Sequence, residues 1–379
     1  MTDSNIQIAS SEIVRDFNRR IVLNLIRTRQ PISRADLARA SGMQRSTISL
    51  IVEELLEGNW ILEGPAVRLP RGRRPTFLRL NEDRAIIGVD IRPGQTMIAL
   101  ADVNGTFGPR DTFPTPRDPE AGIREIVARI HAIVESAGAK KLEGIGISLP
   151  GRYNACLDRL VFAPNLGWRD VDLRGPISAA TGLEVELENA ANACALAAVW
   201  FDQVDCRNLV VLTVSEGIGA GVLVNGQLAL GLGGMAGEFG HMTVDPDGPL
   251  CGCGSRGCWE VFGSNRAAVR YYGREVAFTD LLNCADEGDP AAGAAIAKMA
   301  EHLGRGMRLI VAGLAPEHII VIGDLTRSWE LFRPILEARV AEQVLPGGDV
   351  PKITAVHEDG LARLRGTVAL VLRKHFHAR

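Results

Sequence analysis

The densest group of reactive side chains lies between residues 241 and 258, where His241 is followed by Cys251, Cys253 and Cys258. Three thiolates and one imidazole can complete a tetrahedral Zn²⁺ shell, with Zn–S distances near ~2.3 Å. The glycines between the cysteines let the backbone fold tightly enough for three sulfurs to converge. A shell closed by four protein ligands leaves no open position, so the ion expected here is structural rather than catalytic. Free cysteines in a Gly-rich loop are the competing reading. The chain holds seven cysteines, an odd count that argues against a disulfide framework. The N-terminus lacks the basic-then-apolar pattern of a signal peptide, and no apolar run approaches the ~18–20 residues of a membrane span. A cytoplasmic protein without membrane insertion is expected.

A second group of residues suits a polyanion. Gln44, Arg45, Ser46, Thr47 and Ser49 combine an amide, one guanidinium and small hydroxyls. At the start of a helix such groups fit the major groove, where they bond base edges while the helix N-terminus favours phosphate. Further on, Arg71, Arg73 and Arg74 cluster with Arg68 around Gly72. At a hairpin tip they would form a wing that lies on the phosphate backbone or dips into a minor groove. Charge supports this: residues 1–80 carry 13 Arg and no Lys against 8 acidic residues, although the whole chain is at −3. A basic block on an acidic body marks a local site for double-stranded DNA, hence nucleoid association. Ordinary surface charge and a hairpin used only for packing are the bland alternatives; the Arg-rich loop directly behind the helices speaks against them.

Particular elements must hold these groups. Val14, Phe17, Ile21 and Leu25 fall on one helical face, which predicts a first helix over 11–28, ended by Pro31. Ser33 is a plausible N-cap with Asp36 as a shortened capping box, opening a second helix to about Ser41. Gly42 supplies the turn, and Ile48, Ile51, Val52 and Leu55 predict a third helix at i, i+3, i+4, i+7 spacing. Strands at Ile61–Leu62 and Thr76–Leu80 flank the Arg-rich loop, so residues 1–80 read as a winged helix-turn-helix. From Ala85 the pattern becomes α/β. Ile86–Asp90 pairs with Thr96–Val103, Pro119–Ser136 is helical, and Leu142–Ser148 is a buried strand. Further strands are expected at Val185–Glu188, Leu209–Val214, Gly219–Val224 and Ile319–Ile322. The doubled strand–helix character suits two lobes with a ligand cleft between them.

Gly237-Glu238-Phe239-Gly240-His241, then Cys251-Gly252-Cys253-Gly254 and Gly257-Cys258-Trp259-Glu260, resembles the signature of the ROK family of repressors, open reading frames and sugar kinases. The resemblance extends over essentially the whole chain, since ROK regulators also begin with a winged helix-turn-helix ending in a segment like Gly72-Arg73-Arg74-Pro75. It implies an actin-like, sugar-kinase-like (ribonuclease H-like) fold for residues 81–379, with the zinc-binding segment at 241–258. It also implies that Asn189, Glu238, His241 and Glu260 contact sugar hydroxyls, with Asn165 and Gly151 along the same cleft. Such hydroxyls both donate and accept, so carboxylates, amides and an imidazole can pair with them. A His bound to Zn²⁺ by one ring nitrogen keeps the other for a hydroxyl.

The kinase chemistry is not expected to survive. ROK kinases place an Asp general base directly after the Asn, where this chain has Ala190. Losing a general base typically costs ~10²–10⁴ in rate. Glu188, two positions away, is not placed by the sequence. The first phosphate loop reads Asp90-Ile91-Arg92-Pro93-Gly94-Gln95-Thr96, with Arg and Pro where Gly would let amides approach phosphate. Glu216 stands in the second phosphate segment and Asp324 in the adenosine segment. The expectation is a regulator without enzymatic activity, with no catalytic residues. It would act as a homodimer or homotetramer on a pseudo-palindromic operator and respond to a sugar or sugar phosphate. An ATP-dependent sugar kinase with a DNA-binding appendage is the rival. A protein docking in the cleft is a third reading.

Overall fold

The computed structural model describes residues 11–64, 76–201, 204, 206–342, 348–356 and 361–376. Its N-terminal part comprises α1 (Ser11–Arg29), β1 (Ile32–Ser33), α2 (Arg34–Ser41), α3 (Arg45–Glu57), β2 (Ile61–Glu63) and β3 (Phe77–Leu80). The strands form one antiparallel sheet in the order β1-β3-β2. The capping box forms as expected: Asp36 N donates to Ser33 Oγ at 3.2 Å, and Ser33 N and Oγ both reach the Asp36 carboxylate. Gly42 ends α2 at φ 71°, a left-handed conformation that a Cβ would disfavour. Ser33→Ala should destabilise this unit by ~1 kcal/mol, read as faster amide exchange confined to α2. Unchanged exchange would mean the cap contributes nothing.

The first helix buries a different stripe from the one expected. Val22, Leu23 and Ile26 are buried, whereas Val14 and Phe17 are 47% and 44% exposed. The N-terminal half of α1 meets α3 through Arg15 and Arg19 on Glu54 rather than through its apolar stripe, so its apolar periodicity does not report burial there.

The rest of the chain repeats one plan twice. In the first lobe β4 (Arg84–Ile91), β5 (Gln95–Asp102) and β6 (Phe107–Pro114) form a meander. Then come α4 (Pro119–Ser136), β7 (Lys141–Leu149), a small antiparallel sheet of β8 (Arg152–Asn154), β9 (Arg159–Ala163) and β10 (Trp168–Val171), α5 (Arg174–Thr181) and β11 (Val185–Asn189). The main sheet runs β11-β7-β4-β5-β6, with β7 and β11 parallel to β4. After α6 (Ala190–Trp200), the second lobe opens with the meander β12 (Leu209–Val214), β13 (Ile218–Val224) and β14 (Gln227–Leu228). Helices α7 (Glu260–Gly263), α8 (Asn265–Tyr272), α9 (Phe278–Asp286) and α10 (Pro290–Leu314) follow. The chain closes with β15 (His318–Ile322), α11 (Trp329–Ala341), β16 (Lys352–Val356) and α12 (Leu361–Phe376). The sheet order β14-β13-β12-β15-β16, again with two parallel strands on one side, mirrors the first lobe.

Each lobe has its own core: Ile87, Val89, Ile126 and Ile147 in the first, Val210, Leu212, Met299 and Val321 in the second. Between them α6 is buried along nearly its whole length and crosses α12. A Cβ at Gly366 of α12 would lie 2.2 Å from the Ala193 carbonyl oxygen, so the crossing needs glycine on one helix and alanine on the other. A further cluster joins the N-terminal helices to this pair: Val22, Leu23, Ile26 and Trp60 pack with Ile86, Leu196, Trp200 and Phe376. Polar bonds fix the junction. Arg27 Nη1 donates to the Trp200 carbonyl and its guanidinium lies 4.4 Å over the Trp200 ring. Burial pulls the Arg27 pKa down to about 10. Arg84 stacks 3.8 Å over Trp60, donates to the Asn59 and Gly58 carbonyls, and pairs with buried Glu143.

Candidate metal centre and ligand cleft

The metal segment is a loop that two isolated bridges, Thr243 with Cys258 and Leu250 with Arg256, fold back on itself. One ligand atom each from His241, Cys251, Cys253 and Cys258 falls within 4.8 Å of the others. Cys253 Sγ lies 3.6 Å from Cys258 Sγ, and His241 Nδ1 lies 3.6 Å from Cys251 Sγ. Donors on a tetrahedral centre at Zn-like bond lengths sit about 3.4–3.8 Å apart, so the residues present fit such an ion. Gly257 is required here: at φ 63°, a Cβ would come within 1.4 Å of the Asp245 carbonyl oxygen. Burial and a bond to Cys253 push the Cys258 thiol up to about 12. At Cys253 burial also raises the pKa, but bonds from the Ser255 backbone and from Cys258 outweigh it and bring the thiol to about 7. Trp259 anchors the loop: its buried ring lies against Gly306 of α10 and its Nε1 donates to the His302 carbonyl at 2.9 Å.

The same loop forms one wall of a cavity of about 440 Å³. Asn165, Asn189, Glu238, His241 and Glu260 all line it, as does Gly151. His241 is the joint between cavity and cluster, because Nδ1 faces Cys251 while Nε2 lies 3.9 Å from Glu238 Oε2. Burial raises the Glu238 carboxyl, with partial relief from His241 and Arg152. Two of the expected residues also hold the scaffold. Glu260 Oε2 accepts from Ile218 N at 3.0 Å, and Oε1 receives the Cys251 thiol. Asn189 Oδ1 caps α6 by accepting from Ala191 N at 2.8 Å, while its Nδ2 donates to the Gly151 carbonyl at 2.7 Å. Each keeps only part of its hydrogen-bonding capacity for a ligand.

Ala190 lines the cavity where a base would be needed. Glu188 Oε1 accepts from Asn189 N and from Asn192 Nδ2, burial raises its pKa, and it lines a small side cavity beside the main one. In the first phosphate-loop segment Arg92 folds back on fully buried Asp90. Arg152, Thr213, Met235 and Arg363 are among the lining residues that the sequence did not mark. Arg152 directly follows Pro150-Gly151, a segment already expected in the cleft, which is signal enough to look for it. Nothing local marks Arg363, which the fold brings in from α12.

On α3, Gln44, Arg45 and Ser46 are exposed, and Thr47 and Ser49 are half-buried. Leu50, itself 67% exposed, shares with Ser46 the face opposite Ile48 and Val52. Gln44 is the N-cap without using its side chain, so its amide is available to other partners. Arg71, Arg73 and Arg74 lie outside the described residues. Among the described residues no helix is long and apolar enough to cross a membrane.

Comparison with known proteins fits this geometry. The xylose repressor of Bacillus spizizenii is 31% identical over 347 residues, covering 89% of this chain and 90% of that protein. A ROK family transcriptional regulator, described as a homologue of the E. coli Mlc protein, superposes with a TM-score of 0.84 at 25% identity, covering 96% of this chain and 98% of that one. A ROK family glucokinase from Streptomyces griseus, solved with glucose and AMPPNP, covers 75% of this chain and 98% of its own at a TM-score of 0.66 and 28% identity. The glucokinase covers three quarters of the chain, while the regulator covers nearly all of it. The family profile itself matches residues 86–374, and the chain belongs to the ROK family.

Proposed function

We propose that the protein is a DNA-binding transcriptional repressor of carbohydrate genes, with residues 1–80 as the winged helix-turn-helix and 81–379 as a sensor that binds a sugar or sugar derivative and does not phosphorylate it. The observation that carries this is the cleft: polar groups suited to a polyol converge there, yet Ala190 stands where the reacting hydroxyl would need a proton acceptor. The relatives named as repressors, and the extent of the regulator match, support the same reading. A structural Zn²⁺ on His241, Cys251, Cys253 and Cys258 would hold the Glu238–His241 wall in place and fix the His241 tautomer. Gln44, Arg45, Ser46, Thr47 and Ser49 would face the major groove, with Arg71, Arg73 and Arg74 on the flanking backbone. One short recognition helix per chain calls for a homo-oligomer on a pseudo-palindromic site in the cytoplasm.

Closure of the lobes on a sugar would be relayed by α6, which starts at the Asn189 cap in the cleft and ends at Trp200 beneath Arg27 of α1. The test is to select the operator from random duplexes, then measure its Kd at fixed salt with and without each of a sugar panel. Arg45→Ala should weaken specific binding by ~1–3 kcal/mol and leave nonspecific binding nearly unchanged. ATP-dependent phosphorylation of any sugar, abolished by Glu238→Ala, would replace this reading with the kinase.

A further inference from the structure

The cleft carries a cation whose partner is missing. Arg152 opens β8 and lines both the main cavity and the small side cavity. Its Nε is buried without a hydrogen-bond partner, and among the described residues its guanidinium takes part in no ion pair. The other arginines nearby are engaged: Arg159 of β9 pairs with Asp170, Arg169 of β10 lies 4.4 Å over the Phe162 ring, and Arg174 of α5 pairs with Asp158. The position is also fixed from below. Gly151 sits at φ 83°, with its α-carbon so close to β9 that a Cβ would lie 2.3 Å from the Phe162 carbonyl oxygen. The far end of the side chain is held beside the Gly233 turn, with Nη2 3.7 Å from where a Gly233 Cβ would be.

A buried guanidinium donor left unpaired is costly, and sugar hydroxyls answer it weakly compared with an anionic group that accepts two parallel N–H bonds. The acidic neighbours do not meet that need. Glu260 Oε2 is engaged by Ile218 N, and Glu238, whose carboxylate Arg152 favours through space, makes no ion pair with it. We propose that Arg152 binds an anionic substituent on the effector, so that the cleft selects a sugar phosphate or a sugar acid over the neutral parent sugar. This rests on the reading of the cleft as a sugar site, and it names the class of sugar. An upstream reaction that phosphorylates or oxidises a sugar would then supply the signal.

The experiment titrates the metal-loaded full chain by calorimetry with matched sets for several hexoses: the aldose, its 6-phosphate and its uronate. At least one anionic member should bind at least about tenfold more tightly than its neutral parent, with the preference shrinking as salt rises. The member that binds distinguishes a phosphate from a carboxylate ligand. Arg152→Met should shrink the ratio of anionic to neutral affinity to within about twofold, whereas Arg152→Lys should keep part of the preference. Unchanged metal content and melting temperature exclude misfolding as the cause; if Met unfolds the protein, Arg152→Lys and the wild-type salt series still decide. Neutral sugars binding as tightly as both anions would overturn the proposal, as would Arg152→Met weakening neutral and anionic members alike. Binding of no sugar in any set would instead remove the sugar-site reading beneath it.

Discussion

Cys258→Ser is expected to strip the metal and loosen the second lobe. Cys258 is fully buried, 3.6 Å from Cys253, and is followed immediately by Trp259, the side chain that pins the loop to α10. A serine hydroxyl is a poor Zn²⁺ ligand, and three remaining donors cannot close the shell. Apparent binding energies of structural Zn²⁺ in small peptides reach ~10–16 kcal/mol, because there the metal is the fold. Here the lobe has its own core of Val210, Leu212, Met299 and Val321, so only part of that energy is at stake. The expected result is complete loss of bound metal by elemental analysis and a destabilisation of several kcal/mol. The most sensitive local probe is Trp259 fluorescence. On the proposed reading His241→Ala should lose metal and sugar together, since Nδ1 faces the cysteines and Nε2 lies beside Glu238. A Cys258→Ser protein with full metal occupancy and unchanged melting would refute the ligand set.

The parts of the protein written in local chemistry were legible from the sequence. The Ser33–Asp36 cap, the Gly42 turn and the stripe Ile48, Ile51, Val52, Leu55 are short-range patterns, and each is found in place. Helix Pro119–Ser136 and strand Leu209–Val214 have the bounds expected of them. The cysteine spacing likewise foretold a converging cluster, because the glycines that permit it are adjacent in sequence. What stayed hidden depends on contacts between distant segments. Strand β6 carries Pro109 and Pro114 and is largely exposed, so it shows neither a buried run nor clean alternation. Strands β8 to β10 are three to five residues long, too short for periodicity to mark. Arg363 reaches the cleft only because α12 packs between the lobes. The exposed Val14 and Phe17 illustrate the opposite failure, a correct helix whose apolar face is not wholly a core face.

The interlocking of α1 with α6 and α12 was the least legible feature, and it bears most directly on regulation. Helix α6 is eleven residues long, about 16 Å at 1.5 Å per residue. Its first turn is capped by Asn189, which also donates to the Gly151 carbonyl on the first-lobe wall of the cleft. Its last residue, Trp200, meets Phe376 edge-on at 5.4 Å and carries Arg27 on its face. On the proposed relay, a buried helix of small residues crossing α12 backbone to backbone would transmit displacement as a rigid element, because close-packed interfaces are bistable rather than compliant. Trp200→Ala should therefore have two effects. Truncating a buried Trp costs ~3–5 kcal/mol of stability. It should also collapse the ratio of operator Kd values with and without effector toward unity, from the ~5–150-fold that couplings of this kind span. Arg27→Met separates the effects: it keeps apolar bulk at the junction and removes the donor to the Trp200 carbonyl. It should thus leave the melting temperature close to wild type, preserve sugar affinity, and still lower the ratio. If both variants bind sugar and operator with the wild-type ratio intact, α6 is a structural strut and the signal reaches the recognition helix by another route.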